Sequence, residues 1–233
     1  MKDGREIIID TETTGLSADA GDRIVEIACI EIIDGILTNN VFHKYINPER
    51  DIPDSAFRVH GISFEMVAGE PKFHEIADEL IAFIGASNIV AHNAEFDMRF
   101  INSELARCGR SQLSMDQVVD TLVLARRKFP GSSNSLDALC TRLGVDRSRR
   151  VTHGALIDAE ILAEIYIELR GGRQRTLELS QNVEKVKNSK ISNIMTERVV
   201  NIENTSETLL DKEHTEYLNK NVKNPIWFSY YDK

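Results

Sequence analysis

The sequence predicts an α/β domain, a mixed sheet with helices packed on both faces, ending near residue 170 of a 233-residue chain. Three observations predict it. Strand signals dominate as far as Ile46, strand and helix signals alternate from Phe73 onward, and Ala155 to Leu169 carries the clearest helical periodicity of the chain.

The first strand is Arg5 to Asp10, whose run Ile7-Ile8-Ile9 reads as buried. Arg23 to Ile33 alternates apolar residues, and Leu37 to Ile46 follows across a turn at Asp34-Gly35, so this part reads as an antiparallel meander. After Pro48 and Pro53 the pattern changes. Phe73, Ile76, Ala77, Leu80, Ile81 and Ile84 keep helical spacing up to a stop at Gly85. Asn88 to His92 is a short apolar strand, and a helix follows from about Ala94 to Arg107, ended by Gly109. Val118 to Ala125 mixes strand and helix signals. Ser135 to Leu143 reads as a helix ended by Gly144. On the last helix Leu156, Ala159, Leu162, Ala163, Tyr166 and Leu169 form one stripe, with Asp158 off its centre and Gly171-Gly172 as the stop.

Composition narrows the class. An apolar content of 42% supports a substantial core in one domain. No stretch approaches 18 uninterrupted apolar residues, and Met1 to Glu6 lacks the basic start and apolar core of a secretory signal, so a cytoplasmic protein without a membrane partner is expected. Cys29, Cys108 and Cys140 are odd in number and far apart, which fits neither a disulfide framework nor a zinc knuckle. Charge is uneven: residues 171–233 hold 10 Lys and Arg against 9 Asp and Glu, leaving 18 against 28 in residues 1–170. A protein that grips nucleic acid unaided presents a basic face. Here either metals and a few local contacts suffice, or a partner delivers the substrate.

The candidate chemistry lies in three motifs: Asp10-Thr11-Glu12-Thr13-Thr14-Gly15, His92-Asn93-Ala94-Glu95-Phe96-Asp97 and His153-Gly154-Ala155-Leu156-Ile157-Asp158. Taken singly they read as a solvated strand end, a helix start capped by Asn93, and a surface loop with its helix. Taken together, in this order and strand context, they describe a two-metal nuclease site. Alternation puts Asp10 and Glu12 on the same side of the sheet edge, and two carboxylates crowded there need a cation. Hard oxygen ligands suit Mg²⁺ or Mn²⁺. Phosphodiester hydrolysis needs a nucleophilic hydroxide, an in-line approach and relief of charge on the leaving oxygen, which two divalent cations about 4 Å apart supply. Asp10 is expected to bridge both ions, Glu12 and Asp158 to complete the shell on the nucleophile side, and Asp97 to act through a coordinated water on the leaving-group side. His153 is the expected general base, because an imidazole titrates near neutrality.

On these residues the chain resembles the DEDD superfamily of 3′-5′ exonucleases in its histidine-containing branch: Asp10 and Glu12 match the first motif, Asp97 the second, His153 and Asp158 the third. More closely, residues 5 to 179 resemble the proofreading subunits of bacterial replicative DNA polymerases, including Phe57-x-Val59-His60-Gly61-Ile62, Phe129-Pro130-Gly131 and Asn134 to Cys140. The resemblance implies a ribonuclease-H-like exonuclease fold with a mixed five-stranded sheet, and removal of misincorporated nucleotides from single-stranded or frayed DNA 3′ ends. It also implies substrate contacts from Asp10, Glu12, Asp158 and His60. The family's other contact on that segment is a Glu, where this chain has Ser55.

The resemblance extends past the domain. Gln174-x-x-Leu177-x-Leu179 is similar to the short motif by which replication proteins bind the sliding clamp. Beyond Gly172 the composition turns polar, with eight Asn in residues 172–233, so a mostly disordered tail is expected. Its end, around Trp227, carries aromatic residues that suit a partner's pocket, together with Arg198-Val199-Val200. The expected organisation is therefore an exonuclease domain in 1–172, a clamp-binding motif in 173–180, and a linker with polymerase-binding tail in 181–233. A small accessory subunit is allowed for. Two rivals stay open: an RNA 3′-end exonuclease of the same superfamily, and a non-catalytic adaptor between polymerase and clamp. All five catalytic positions are filled, which argues against the adaptor.

Overall fold

Five strands, β1 (Arg5–Thr13), β2 (Ile24–Ile33), β3 (Ile36–Tyr45), β4 (Asn88–Ala91) and β5 (Val118–Asp120), form one sheet in the order β3-β2-β1-β4-β5, so β1 is central. The computed structural model describes residues 4–148, 150 and 153–171. β1, β2 and β3 are the expected antiparallel meander, whereas β4 pairs parallel with β1, and β5 parallel with β4. The helices are α1 (Asp54–His60), α2 (Phe64–Val67), α3 (Phe73–Ile84), α4 (Ala94–Arg107), α5 (Thr121–Lys128), α6 (Leu136–Leu143) and α7 (Ala155–Leu169). Parallel pairing needs crossovers, which α3 and α4 supply.

The apolar run of β1 is buried because both sheet faces are covered. Ile7 and Ile9 pack with α3 and α4 residues such as Phe73, Leu80, Phe100 and Ile101 on one face. Ile8 packs with Ala155, Ala159, Leu162 and Tyr166 of α7 on the other. Helix α7 does not carry the single stripe expected. Its opposite side, Ile161 and Ile165, is buried against Ala125 of α5 and Leu139 of α6, because the helix is sandwiched between the sheet and that pair.

Two further expectations change. β1 runs on to Thr13 rather than stopping at Asp10, since β2 keeps pairing with it through Glu12↔Glu26. Asp10 and Glu12 are consequently at the end of the central strand and not at a sheet edge. The ambiguous stretch 118–125 divides at Asp120, which ends β5 and then caps α5 by accepting the Leu122 N–H at 2.8 Å. Helices α1 and α2 fall where the sequence showed only a change of pattern, and both are too short for periodicity to register.

Charged side chains tie helices to strands at a few buried points. Arg23, just before β2, makes a two-pronged ion pair with Glu104 of α4, at 2.6 and 2.9 Å. Glu6 of β1 accepts the Tyr166 hydroxyl at 2.7 Å and an Arg170 N–H at 2.8 Å, fixing the C-terminal end of α7. The three cysteines are free. Among the described residues no helix is long and apolar enough to cross a membrane. Gln174, Leu177, Leu179, Arg198 and Trp227 lie outside the described residues.

Removing one member of a buried pair strands the other's charge. Arg23→Ala is therefore expected to cost about 3 kcal/mol of unfolding free energy, read from urea denaturation. A loss under about 0.5 kcal/mol, the size typical of a surface pair, would show that α4 is held by packing alone.

Candidate active site

Alternation along β1 decides which helix each motif residue meets. Asp10 and Glu12 follow Ile8 toward α7, while Thr11 follows Ile7 and Ile9 toward α3 and α4. Pairing with β4 stops at Ile8↔Val90, so beyond that point β1 keeps only β2 as a strand neighbour. Asp97, in the first turn of α4, is buried there and accepts a hydrogen bond from Thr11 Oγ1 at 2.7 Å. Asn93, expected to cap α4 with its side chain, does not. It adopts a left-handed backbone (φ 63°), which Asn tolerates, and its N–H donates to Asp120 Oδ1 at 3.1 Å.

Helix α7 brings the third motif to the other side of the strand. Asp158 is buried in its first turn, and His153, half exposed just ahead of the helix, donates its N–H to the Val59 carbonyl at 3.4 Å. Donor atoms of Glu12, His153 and Asp158 all lie within 4.8 Å of one another. Asp10 adjoins them, its charge acting with those of Asp97, Asp158, Glu12 and Glu26. The structure thus groups Glu12, His153 and Asp158, with Asp10 and Asp97 near enough for their charges to act on Glu12 or be acted on by the group.

The remaining expected contacts are arranged around this cluster. His60 is buried at the end of α1, and its Nδ1 accepts the Ile62 N–H at 3.0 Å. That bond leaves the ring proton on Nε2, which has no hydrogen-bond partner. Burial lowers the affinity of this imidazole for a second proton, against the Thr13 backbone, which raises it. Ser55 is exposed in the first turn of α1. A separate cleft of about 650 Å³, lined by His92, Asn93, Arg126 and Asn134, includes none of the five acidic and imidazole groups. His92 turns away from the cluster, its Nδ1 2.9 Å from Thr121 Oγ1.

Two participants were missed by sequence reasoning. Glu26, on β2 directly opposite Glu12, accepts the Ala155 N–H at 3.0 Å and lies 2.7 Å from His43 Nε2, so it seats the N-terminus of α7. An acidic residue inside the apolar run Ile24-Val25-Glu26-Ile27-Ala28 was the available signal. Arg150 pairs with Asp158 through Nε at 2.5 Å and Nη2 at 2.7 Å. Nothing in the basic run Arg147 to Arg150 distinguished it from a solvated loop.

Like charges in a buried place hold their protons. Burial, followed by Asp158 and Glu26, pushes the Glu12 carboxyl up to about 8. Burial raises Asp97 to about 7 despite the Thr11 hydrogen bond, and burial together with Asp97 raises Asp10 well above the carboxylate range. Carboxylate oxygens with one imidazole, at these separations, are a donor set that fits a hard divalent cation.

A mixed five-stranded sheet with clustered carboxylates at the end of its central strand defines the class, that of a metal-dependent phosphodiester-cleaving enzyme. Residues 7–166 match the RNase_T exonuclease family. DNA polymerase III subunit epsilon of Rickettsia felis is 46% identical over 229 residues, covering 96% of this chain and 99% of its own. Its counterpart in Escherichia coli K12 is 43% identical over 176 residues, 72% of each chain. Among solved structures, exonuclease X in complex with 5′ overhanging duplex DNA is 33% identical, with a TM-score of 0.56 over 70% of this chain and 90% of its own. The chain belongs to the exonuclease family and, within it, to the DNA polymerase III epsilon subunits.

The raised carboxyls fix a sign for stability. Between the ordinary value of 4.5 and about 8, native Glu12 retains a proton that the unfolded chain has released, and Asp97 does so between 3.8 and about 7. The native state binds more protons, so stability falls as pH rises through this window. In EDTA, the melting temperature is expected to drop from pH 5 to pH 8, and Asp10→Asn is expected to flatten that slope. A melting temperature independent of pH over the same range would contradict the clustered charges.

Proposed function

We propose that this chain is a 3′-5′ exonuclease that removes misincorporated nucleotides from DNA 3′ ends as the proofreading subunit of a replicative DNA polymerase. The observation that carries this reading is the meeting of Glu12, His153 and Asp158 within 4.8 Å, in a field shared with Asp10 and Asp97. Two divalent cations, Mg²⁺ or Mn²⁺, held by Asp10, Glu12 and Asp158 with Asp97 beyond, supply when bound the positive charge that favours attack on phosphorus and departure of the sugar oxygen. His153, at the solvent rim, takes the proton of the attacking water. His60 offers the unpaired Nε2 donor to an oxygen of the terminal nucleotide, and Ser55 a hydroxyl from the same helix. Leu16, 83% exposed three residues after β1, is an apolar surface for a base.

The acidic body suits an enzyme whose DNA is held by others. A mismatched terminus unpairs cheaply, so selectivity follows from access to the site and needs no reading of the base. The 229-residue likeness to the Rickettsia relative runs past Gly171, which supports a shared role for the tail. We assign Gln174, Leu177 and Leu179 to a sliding clamp, the segment from 181 onward to the polymerase, and the cytoplasm as the place of action. The edge strand β3 exposes Ile36, Leu37 and Val41, an apolar border that suits a small accessory subunit.

Digestion of end-labelled primers tests the reading. Mismatched DNA ends are expected to be trimmed faster than matched ones, and single-stranded DNA faster than RNA, with Mg²⁺ or Mn²⁺ present. Preference for RNA would favour the RNA-trimming rival. Asp10→Ala and Asp158→Ala are expected to abolish hydrolysis while the protein stays folded, and His153→Ala to lose about 10²-fold or more of the rate. Full activity in either aspartate variant would refute the metal assignment.

A further inference from the structure

We propose that Arg150 is a positioning residue of this site, an internal counter-ion of Asp158 and hydrogen-bond donor to His153 that a divalent cation must displace before hydrolysis can begin. The proposal rests on the reading above. Nη2 of Arg150 lies 2.7 Å from Asp158 Oδ2 and 2.7 Å from His153 Nδ1, two atoms that are themselves 3.4 Å apart. Nε takes the other Asp158 oxygen, and Nη1 reaches Asp137 of α6 at 2.9 Å. An ion held by Glu12 and Asp158 needs the Asp158 lone pairs that Arg150 occupies. A guanidinium only donates, so Nδ1 accepts and the ring proton sits on Nε2. While Arg150 is in place, neither nitrogen of His153 is free to take a proton from water.

The two kinds of cation do not satisfy the cluster equally. A planar guanidinium grips both oxygens of one carboxylate, whereas a divalent ion takes single oxygens from several. Arg150 therefore places its two-pronged grip on Asp158 and reaches Glu12, beside Asp10, only through its longer-range charge. A dication answers all three. Asp137, half exposed and already paired with Arg147 at 2.7 Å, gives the displaced guanidinium an outer partner. Arg150 thus weakens metal binding by the strength of its own grip on Asp158 and holds that carboxylate and His153 in register until an ion arrives.

Metal titration of the full-length chain after EDTA treatment separates this role from a structural one. Arg150→Ala and Arg150→Gln are expected to bind Mn²⁺ about tenfold or more tightly than wild type by calorimetry, because charge-assisted bonds that compete with the ion are gone. Arg150→Lys, which keeps the charge, is expected to return the affinity toward wild type. A merely structural arginine would give the opposite sign, since a loosened site binds an ion less well. Unchanged or weaker Mn²⁺ binding in both Arg150→Ala and Arg150→Gln would overturn the proposal. Asp158→Asn marks the other failure. Should wild type and Asp158→Asn alike bind no Mn²⁺, the metal reading of the site falls and this proposal with it; should wild type bind while the Ala and Gln variants bind no tighter, only the role of Arg150 falls.

Discussion

Five carboxylates share the end of one strand, and their repulsion in a buried place is the condition that the surrounding structure answers. Three of them have been given partners. Asp97 accepts the Thr11 hydroxyl, Glu26 accepts the Ala155 N–H beside His43, and Asp158 is held by Arg150. At Asp10 and Glu12 burial and like charge dominate, only partly relieved at Glu12 by Arg150, which is why their protons are held so strongly. Charge left unresolved at two neighbouring groups is what gives a site its appetite for cations. Optimising stability here would mean removing the acids, at the cost of the chemistry.

Holding such a cluster together requires that its carriers cannot move apart. Helix α7 is pinned at one end by Glu26 of β2 and at the other by Glu6 of β1, and between them it is buried on two sides. Helix α4 is pinned to the start of β2 by the Arg23–Glu104 pair. Each motif therefore rides on an element fixed to the meander, and the geometry is set by strands whose register the apolar residues dictate. Gly15 shows how tightly the turn after the first motif is drawn. A Cβ there would stand 2.3 Å from Asp22 Oδ2.

Much of this was legible in the sequence because periodicity and stop signals are local. Helices α3 and α4 begin and end at the expected residues, each closed by a glycine or its neighbour. The motifs were legible only in combination, since each taken singly has an ordinary structural use and the three in this order and strand context do not. What could not be read depends on contacts made across the fold. The second apolar side of α7 exists only because α5 and α6 fold over it, and the extension of β1 to Thr13 exists only because β2 continues to pair with it. Glu26 stood out as an acid inside an apolar run, but its partner did not, and Arg150 did not stand out at all; the contacts of both belong to the same category. Each acts on a residue far from it along the strand register or across a loop, where one sequence carries no record of the encounter.

Helix α7 also works as a measuring rod. Asp158 and Leu169 are eleven residues apart on it, a rise of about 16 Å, and the far end is moored by Glu6. The span from carboxylate to mooring is thereby held at a fixed length, so a shift at the Glu6 end is carried along the helix to Asp158.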